Sequence, residues 1–168
     1  GHDDMAKVLL AHGATVDAAT NAGGTPLHSA ARFGHDDMAK VLLAHGATVD
    51  VADNNGVTPL HIAALKGHNH MAKVLLAHGA TVDVADNNGG TPLHIAAQKG
   101  HDDMAKVLLA HGATVDVADN NGGTPLHIAA QKGFDGMAKV LLAHGATVDA
   151  AKNTGATPLF VAAQENHD

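Results

Sequence analysis

Histidine and aspartate are the residues of this sequence best placed to do chemistry, since 15 histidines and a run of loop aspartates could in principle hold a metal or move a proton. A zinc site needs ligand nitrogens about 2.0–2.1 Å from the ion. His45, His78, His111 and His144 recur every 33 residues. On successive packed helices they would stand about 8–10 Å apart, too far to share an ion. His68 and His70 offer only two ligands in one turn. The Asp-Asn-Asn-Gly loops invite a calcium reading. An EF-hand, however, would need an acid where Val51 stands and a glutamate where Ile62 stands. Catalysis has equally little to work with: Ser29 is the only serine, Glu165 the only glutamate, and cysteine and tyrosine are absent. The glycines fall at helix ends and turns, so no loop cradles phosphate. No enzyme, metal or cofactor is expected.

The period explains these residues better. The prolines Pro26, Pro59, Pro92, Pro125 and Pro158 fall 33 residues apart, and the 13-residue string MAKVLLAHGATVD begins at Met5, Met38, Met71, Met104 and Met137. Units this alike must each bury an apolar face against a neighbouring copy, which is the logic of a solenoid. Within one unit Thr58 is an N-cap and Pro59 the first helical residue, where a missing N–H costs nothing. The helix is predicted to run to about Lys66 and to end at Gly67. Small Ala63 and Ala64 let a second helix approach. That helix runs from about His101 to His111, with Asp102 and Asp103 at its positive end, a histidine at its negative end and Gly112 as the left-handed stop. Met104, Val107 and Leu108 form its buried stripe, widened by Leu109. The connector closes on Asn55-Gly56, Asn88-Gly89 and Asn121-Gly122, which favour the tight turn of a projecting β-hairpin.

Composition narrows the partners. The formal charge is −7 and Arg32 is the only arginine, while nine lysines recur singly beside acidic residues. Nucleic-acid binding needs clustered cations, so it is not expected. No stretch approaches the roughly 20 apolar residues of a membrane span. Lack of cysteine allows a reducing compartment without establishing one, the opening residues read as no secretory signal, and localisation stays open. A chain opening on Gly1 reads as an excised or processed piece.

The strings Thr25 to His28, Thr58 to His61, Thr91 to His94 and Thr124 to His127 resemble the ankyrin signature T-P-L-H-x-A-A. The Gly-His element at Gly34-His35, Gly67-His68 and Gly100-His101 and the Leu-Leu-x-x-Gly-Ala run match as well, so the resemblance spans the chain. It implies an all-α solenoid: an ankyrin-repeat stack of antiparallel helix pairs with projecting β-hairpin loops. The expected organisation is one domain over 1–168, with a half repeat at 1–21, full repeats at 22–54, 55–87, 88–120 and 121–153, and a half repeat at 154–168. Three departures stand out. Gly-Ala-Thr-Val-Asp, as at Thr48 and Asp50, replaces the family's Gly-Ala-Asp-Val-Asn, removing an asparagine that some relatives have modified. Thr20 and Lys152 replace the loop aspartate seen at Asp53, Asp86 and Asp119. Phe160 replaces the signature histidine, so its polar tie is lost there.

The resemblance implies a non-catalytic protein-interaction module that binds a partner through the concave first-helix face and the loop tips. Recognition should then use the positions that do not repeat. The candidate partner-binding residues are Arg32, Phe33, Val57, Leu65, Lys66, Gln98, Lys99, Gln131 and Lys132. Arg32 beside Phe33 pairs two residue types enriched at binding hot spots, or else Phe33 covers the open end of the stack. The alternative is a structural or engineered scaffold array without a dedicated partner, stacking head to tail through its two half repeats. Five identical strings suit a recent duplication or a consensus-type design, and the Thr-Val-Asp departure favours a natural parent. Acid should destabilise the fold if the signature histidines are buried and neutral.

Overall fold

The computed structural model describes residues 2–165 of the 168, so Gly1 and the last three residues of the final half repeat lie outside it. The described residues form two compact units, divided between Thr81 and Val82. The first holds α1 (His2–Ala11), α2 (Pro26–Phe33), α3 (Asp36–Ala44), α4 (Pro59–Lys66) and α5 (Asn69–Ala77). The second holds α6 (Pro92–Lys99), α7 (Asp102–Ala110), α8 (Pro125–Lys132), α9 (Asp135–Ala143) and α10 (Pro158–Glu165).

Helices α2, α4, α6 and α8 start as the Thr-Pro signature predicts and stop at a left-handed glycine, as at Gly67 with φ 69°. Each opens on a capping box in which histidine stands at the third helical position, where glutamate or glutamine is usual. The longer helices also run into a left-handed glycine, such as Gly112 at φ 88°, but with a histidine in front of it. His45, His78, His111 and His144 sit just past their last turns, and each donates Nδ1–H to the carbonyl four residues back at 2.8 Å. A cationic or dipolar group there complements the negative end of the helix.

Inside the first unit α2 packs on α3 and α4, α4 on α5, and α3 on α1 and α5. Inside the second, α6 packs on α7 and α8, α8 on α9 and α10, and α7 on α9. Leu27, Leu60, Leu75, Leu93, Leu108 and Leu141 are buried, with alanine pairs such as Ala63-Ala64 and Ala96-Ala97 between them. The buried stripe of α7 differs from the expected one. It consists of Met104, Ala105 and Leu108, while Val107 and Leu109 are half-buried. The closest helix approach selects the smallest side chain, so alanine is inside and valine lies at the margin.

The projecting β-hairpins are not confirmed, since no strand is present among the described residues. The connector instead closes as a single turn. The Asp53 amide donates to the Val57 carbonyl at 2.9 Å and the Gly56 amide to the Asp53 carbonyl at 3.0 Å. The Asp53 carboxylate then takes the amides of Asn55 and Val57 at 2.8 and 3.0 Å, and Asp86 and Asp119 repeat this arrangement. Gly56, at φ 77°, therefore follows the turn as its left-handed exit and is not one of its two central residues. The aspartate side chain consumes the donors that a strand ladder would have used.

Successive turns interlock through asparagine. Asn120 donates its amide to the Asn88 carbonyl at 3.1 Å and its side-chain Nδ2 to the Asn87 carbonyl at 3.2 Å. Asn54 ties to Ala22 and Asn21, and Asn153 to Asn121 and Asn120, in the same way. Gly89 has φ 79°, and a Cβ there would lie 2.6 Å from the Asn120 side-chain oxygen, so only glycine fits beneath the next turn.

Candidate interaction surface

Turn and first helix meet to form grooves, and the signature histidine holds each groove's inner wall. In the first unit the Thr25 amide and hydroxyl both reach His28 Nδ1, at 3.1 and 3.0 Å, and His28 Nε2 donates to the Val57 carbonyl of the next copy at 2.9 Å. His94 does the same with Thr91 and Gly123, and His127 with Thr124 and Ala156. An imidazole that accepts from a backbone N–H at Nδ1 and donates at Nε2 is neutral. Burial pushes the His94 imidazole below the ordinary histidine range, against an opposing pull from its bond to Gly123; His127 is lowered the same way, with Ala156 as its carbonyl. In the last copy, Phe160 is more than half exposed and its amide donates to the Thr157 hydroxyl at 3.3 Å, so the local cap survives while the tie to a neighbour is gone.

The groove of the first unit has a volume of about 280 Å³ and is lined by Thr20, Ala22, Gly24, Thr25, His28, Ser29, Arg32, Phe33, Asp53 and Ile62. Two of the candidate residues, Arg32 and Phe33, share this wall. Phe33 is 62% exposed and stacks on His35 with ring centroids 5.9 Å apart, so it does not serve as a cover over the core. Leu65 is 38% exposed, Lys66 is exposed and Val57 is half-buried. In the second unit Gln98, Lys99, Gln131 and Lys132 are all exposed at the ends of α6 and α8. Gln98 alone of these four lines that unit's groove, of about 260 Å³, with Asp86, Asn88, Gly90, His94, Ile95, Asp119 and Ile128.

The metal-like residues are occupied otherwise. His68 lies over Gly34, about 3.2 Å from where a Cβ would be, and its Nε2 meets the Arg32 carbonyl at 3.3 Å. No group of three histidine, aspartate or glutamate side chains among the described residues is placed to hold a metal ion.

One set of contacts was missed in the sequence. The Asp17 carboxylate accepts the Thr48 amide at 3.0 Å and its hydroxyl at 2.7 Å, and the pairs Asp50–Thr81, Asp83–Thr114 and Asp116–Thr147 repeat it. These are the two residues of the Thr-Val-Asp departure, and they meet between copies. The signal was present: both departures occur in every copy, which marks them as partners.

The helix pairs, the neighbour-to-neighbour ties and the replicated caps define a helical repeat protein. The ankyrin repeats (3 copies) family matches residues 1–53, 45–119 and 111–168, and the chain belongs to that family. Ankyrin repeats are generally protein-interaction modules and typically non-catalytic. No curated protein matches the chain. No helix among the described residues is long and apolar enough to cross a membrane.

Proposed function

We propose that this chain binds another protein through the first-helix faces and turn tips of its units, using Arg32, Phe33, Val57, Leu65 and Lys66 in the first unit and Gln98, Lys99, Gln131 and Lys132 in the second. The observation that carries this reading is the exposure of Phe33 and Leu65, large apolar side chains, beside Arg32 at positions that break the repeat. Structure alone gives no reason to keep an exposed ring there, whereas binding surfaces favour aromatic residues and arginine. The direct test is a pull-down with the chain as bait, run beside the variant Arg32→Gln, Phe33→Lys, Leu65→Gln. These changes install the residues found in other copies at exposed sites, so folding stability should move by no more than about 0.5 kcal/mol. A protein held by the parent and lost from the folded variant supports the reading; identical recoveries defeat it.

A second reading rests on α1, which buries no residue. Met5 is 58% exposed, although Met71 and Met104, in the same string, are fully covered. A repeat packed there, from a second copy or from adjoining sequence, would cover it as the others are covered. Light scattering against concentration decides for the 168-residue chain: a mass that rises by whole chains supports stacking, and a constant monomer mass removes it.

A further inference from the structure

Resting on the first of those readings, we infer that the groove of the first unit selects a partner segment carrying a carboxylate next to an apolar side chain. The argument comes from two grooves built alike and furnished differently. Shifting the first by 66 residues lands on the second: Gly24 on Gly90, His28 on His94, Asp53 on Asp119, Ile62 on Ile128. Five positions change, one being Ala22 where the second groove has Asn88. Thr20 stands where the second groove has Asp86, Ser29 where it has Ile95, Arg32 where it has Gln98, and Phe33 where α6 ends on Lys99.

The changes act together. The second groove is lined by two carboxylates, Asp86 and Asp119, and no cation. The first is lined by Arg32 and one carboxylate, Asp53, so the formal charge of the lining rises from −2 to zero. Asp53 already accepts the Asn55 and Val57 amides, which ties its charge to its own turn. Arg32, by contrast, has no carboxylate partner among the described residues. A planar guanidinium without an anion is suited to accept one in bidentate fashion. Beside it Phe33 and Ile62 offer an apolar wall, and the small Ser29 leaves room where Ile95 fills the other groove. A carboxylate on Arg32 and an apolar side chain against Phe33 satisfy both features at once. A basic segment would bring its charge to Arg32 and meet like-charge repulsion.

The test uses the whole chain and two fluorescein-labelled peptides, Gly-Glu-Leu-Glu-Phe-Leu-Glu-Gly and its counterpart with lysine for every glutamate. Fluorescence anisotropy at ~50 mM salt, where screening is weak, should show the glutamate peptide binding at least about tenfold tighter. Arg32→Gln should remove that preference. The companion variant carries Asp86→Thr, Asn88→Ala, Ile95→Ser, Gln98→Arg and Lys99→Phe, which furnishes the second groove like the first. It should raise the stoichiometry from one peptide per chain towards two, a gain that misfolding cannot produce. Equal affinities, a preference for the lysine peptide, or no saturation of the parent by ~1 mM peptide overturns the inference. A partner still captured in the pull-down and lost from its variant would then leave the broader interaction reading standing.

Discussion

The chain carries two kinds of histidine that hold their protons on opposite nitrogens. Those ending the longer helices are protonated at Nδ1, whereas His28, His94 and His127 are protonated at Nε2 and accept at Nδ1. A second proton on His94 or His127 must enter Nδ1, against a backbone N–H that already points there. The folded values of His94 and His127 are lowered, so the unfolded chain binds more protons. Stability is therefore full above about pH 6.5 and falls as pH drops through that unfolded value towards the folded ones. Urea midpoints measured from pH 7.5 to 5 should decrease, with His94→Phe flattening the slope. His94→Phe should also cost about 1–3 kcal/mol at pH 7.5, because the Thr91 amide and Gly123 carbonyl lose their partner. The sequence made the acid sensitivity legible through the signature histidines, but not which ring nitrogen each of them uses. Tautomers depend on which carbonyl or amide lies nearby, and that is set by packing.

At the scale of the element, identical segments have unequal importance. Leu9 and Leu108 occupy the same place in the string MAKVLLAHGATVD, yet Leu9 is 54% exposed and Leu108 is fully buried. Leu108→Ala should cost about 2–5 kcal/mol by opening a cavity, and Leu9→Ala less than about 0.5 kcal/mol. Thermal or urea unfolding of the two variants checks the contrast, and no reading of the string alone could rank them. Helix starts and stops were legible because Thr-Pro and the terminal glycines act within a few residues. The expected hairpin strands are absent among the described residues for the converse reason. Asn-Gly has a strong local preference for a two-residue hairpin, but here Asp53, Asp86 and Asp119 claim the nearby amides, and the next copy's asparagine presses on the turn glycine. Gly89→Ala should therefore lose at least about 1–2 kcal/mol, from the left-handed backbone alone, before the collision with Asn120. A fall in the urea midpoint would register it.

For the molecule as a whole, repetition is what made the architecture readable and the function hard to read. The same 13-residue string appears five times, so family and fold follow from a few residues. The proposed recognition rests on the few places where copies disagree, and the disagreement at Arg32 and Phe33 takes its meaning from the comparison of two equivalent grooves. Charge adds a global response. With every histidine protonated the formal charge moves from −7 to +8 by adding 15. Migration in an electric field should therefore reverse direction on acidification, at a pH near the sequence isoelectric point of about 6.1.

The carboxylate that each copy lends to its successor also bears on how such arrays can change over generations. Asp50 on one copy answers Thr81 on the next, and Asp83 answers Thr114. Suppose recombination replaced one copy with a relative that has aspartate in place of that threonine. Two carboxylates would then face each other across the seam, and the hybrid would be penalised at birth. A crossover between copies of this chain carries no such penalty, since donor and acceptor travel in the same string. The array is thus free to lengthen or shorten from its own stock while resisting grafts from ordinary members of its family, a barrier to exchange written in one pair of side chains.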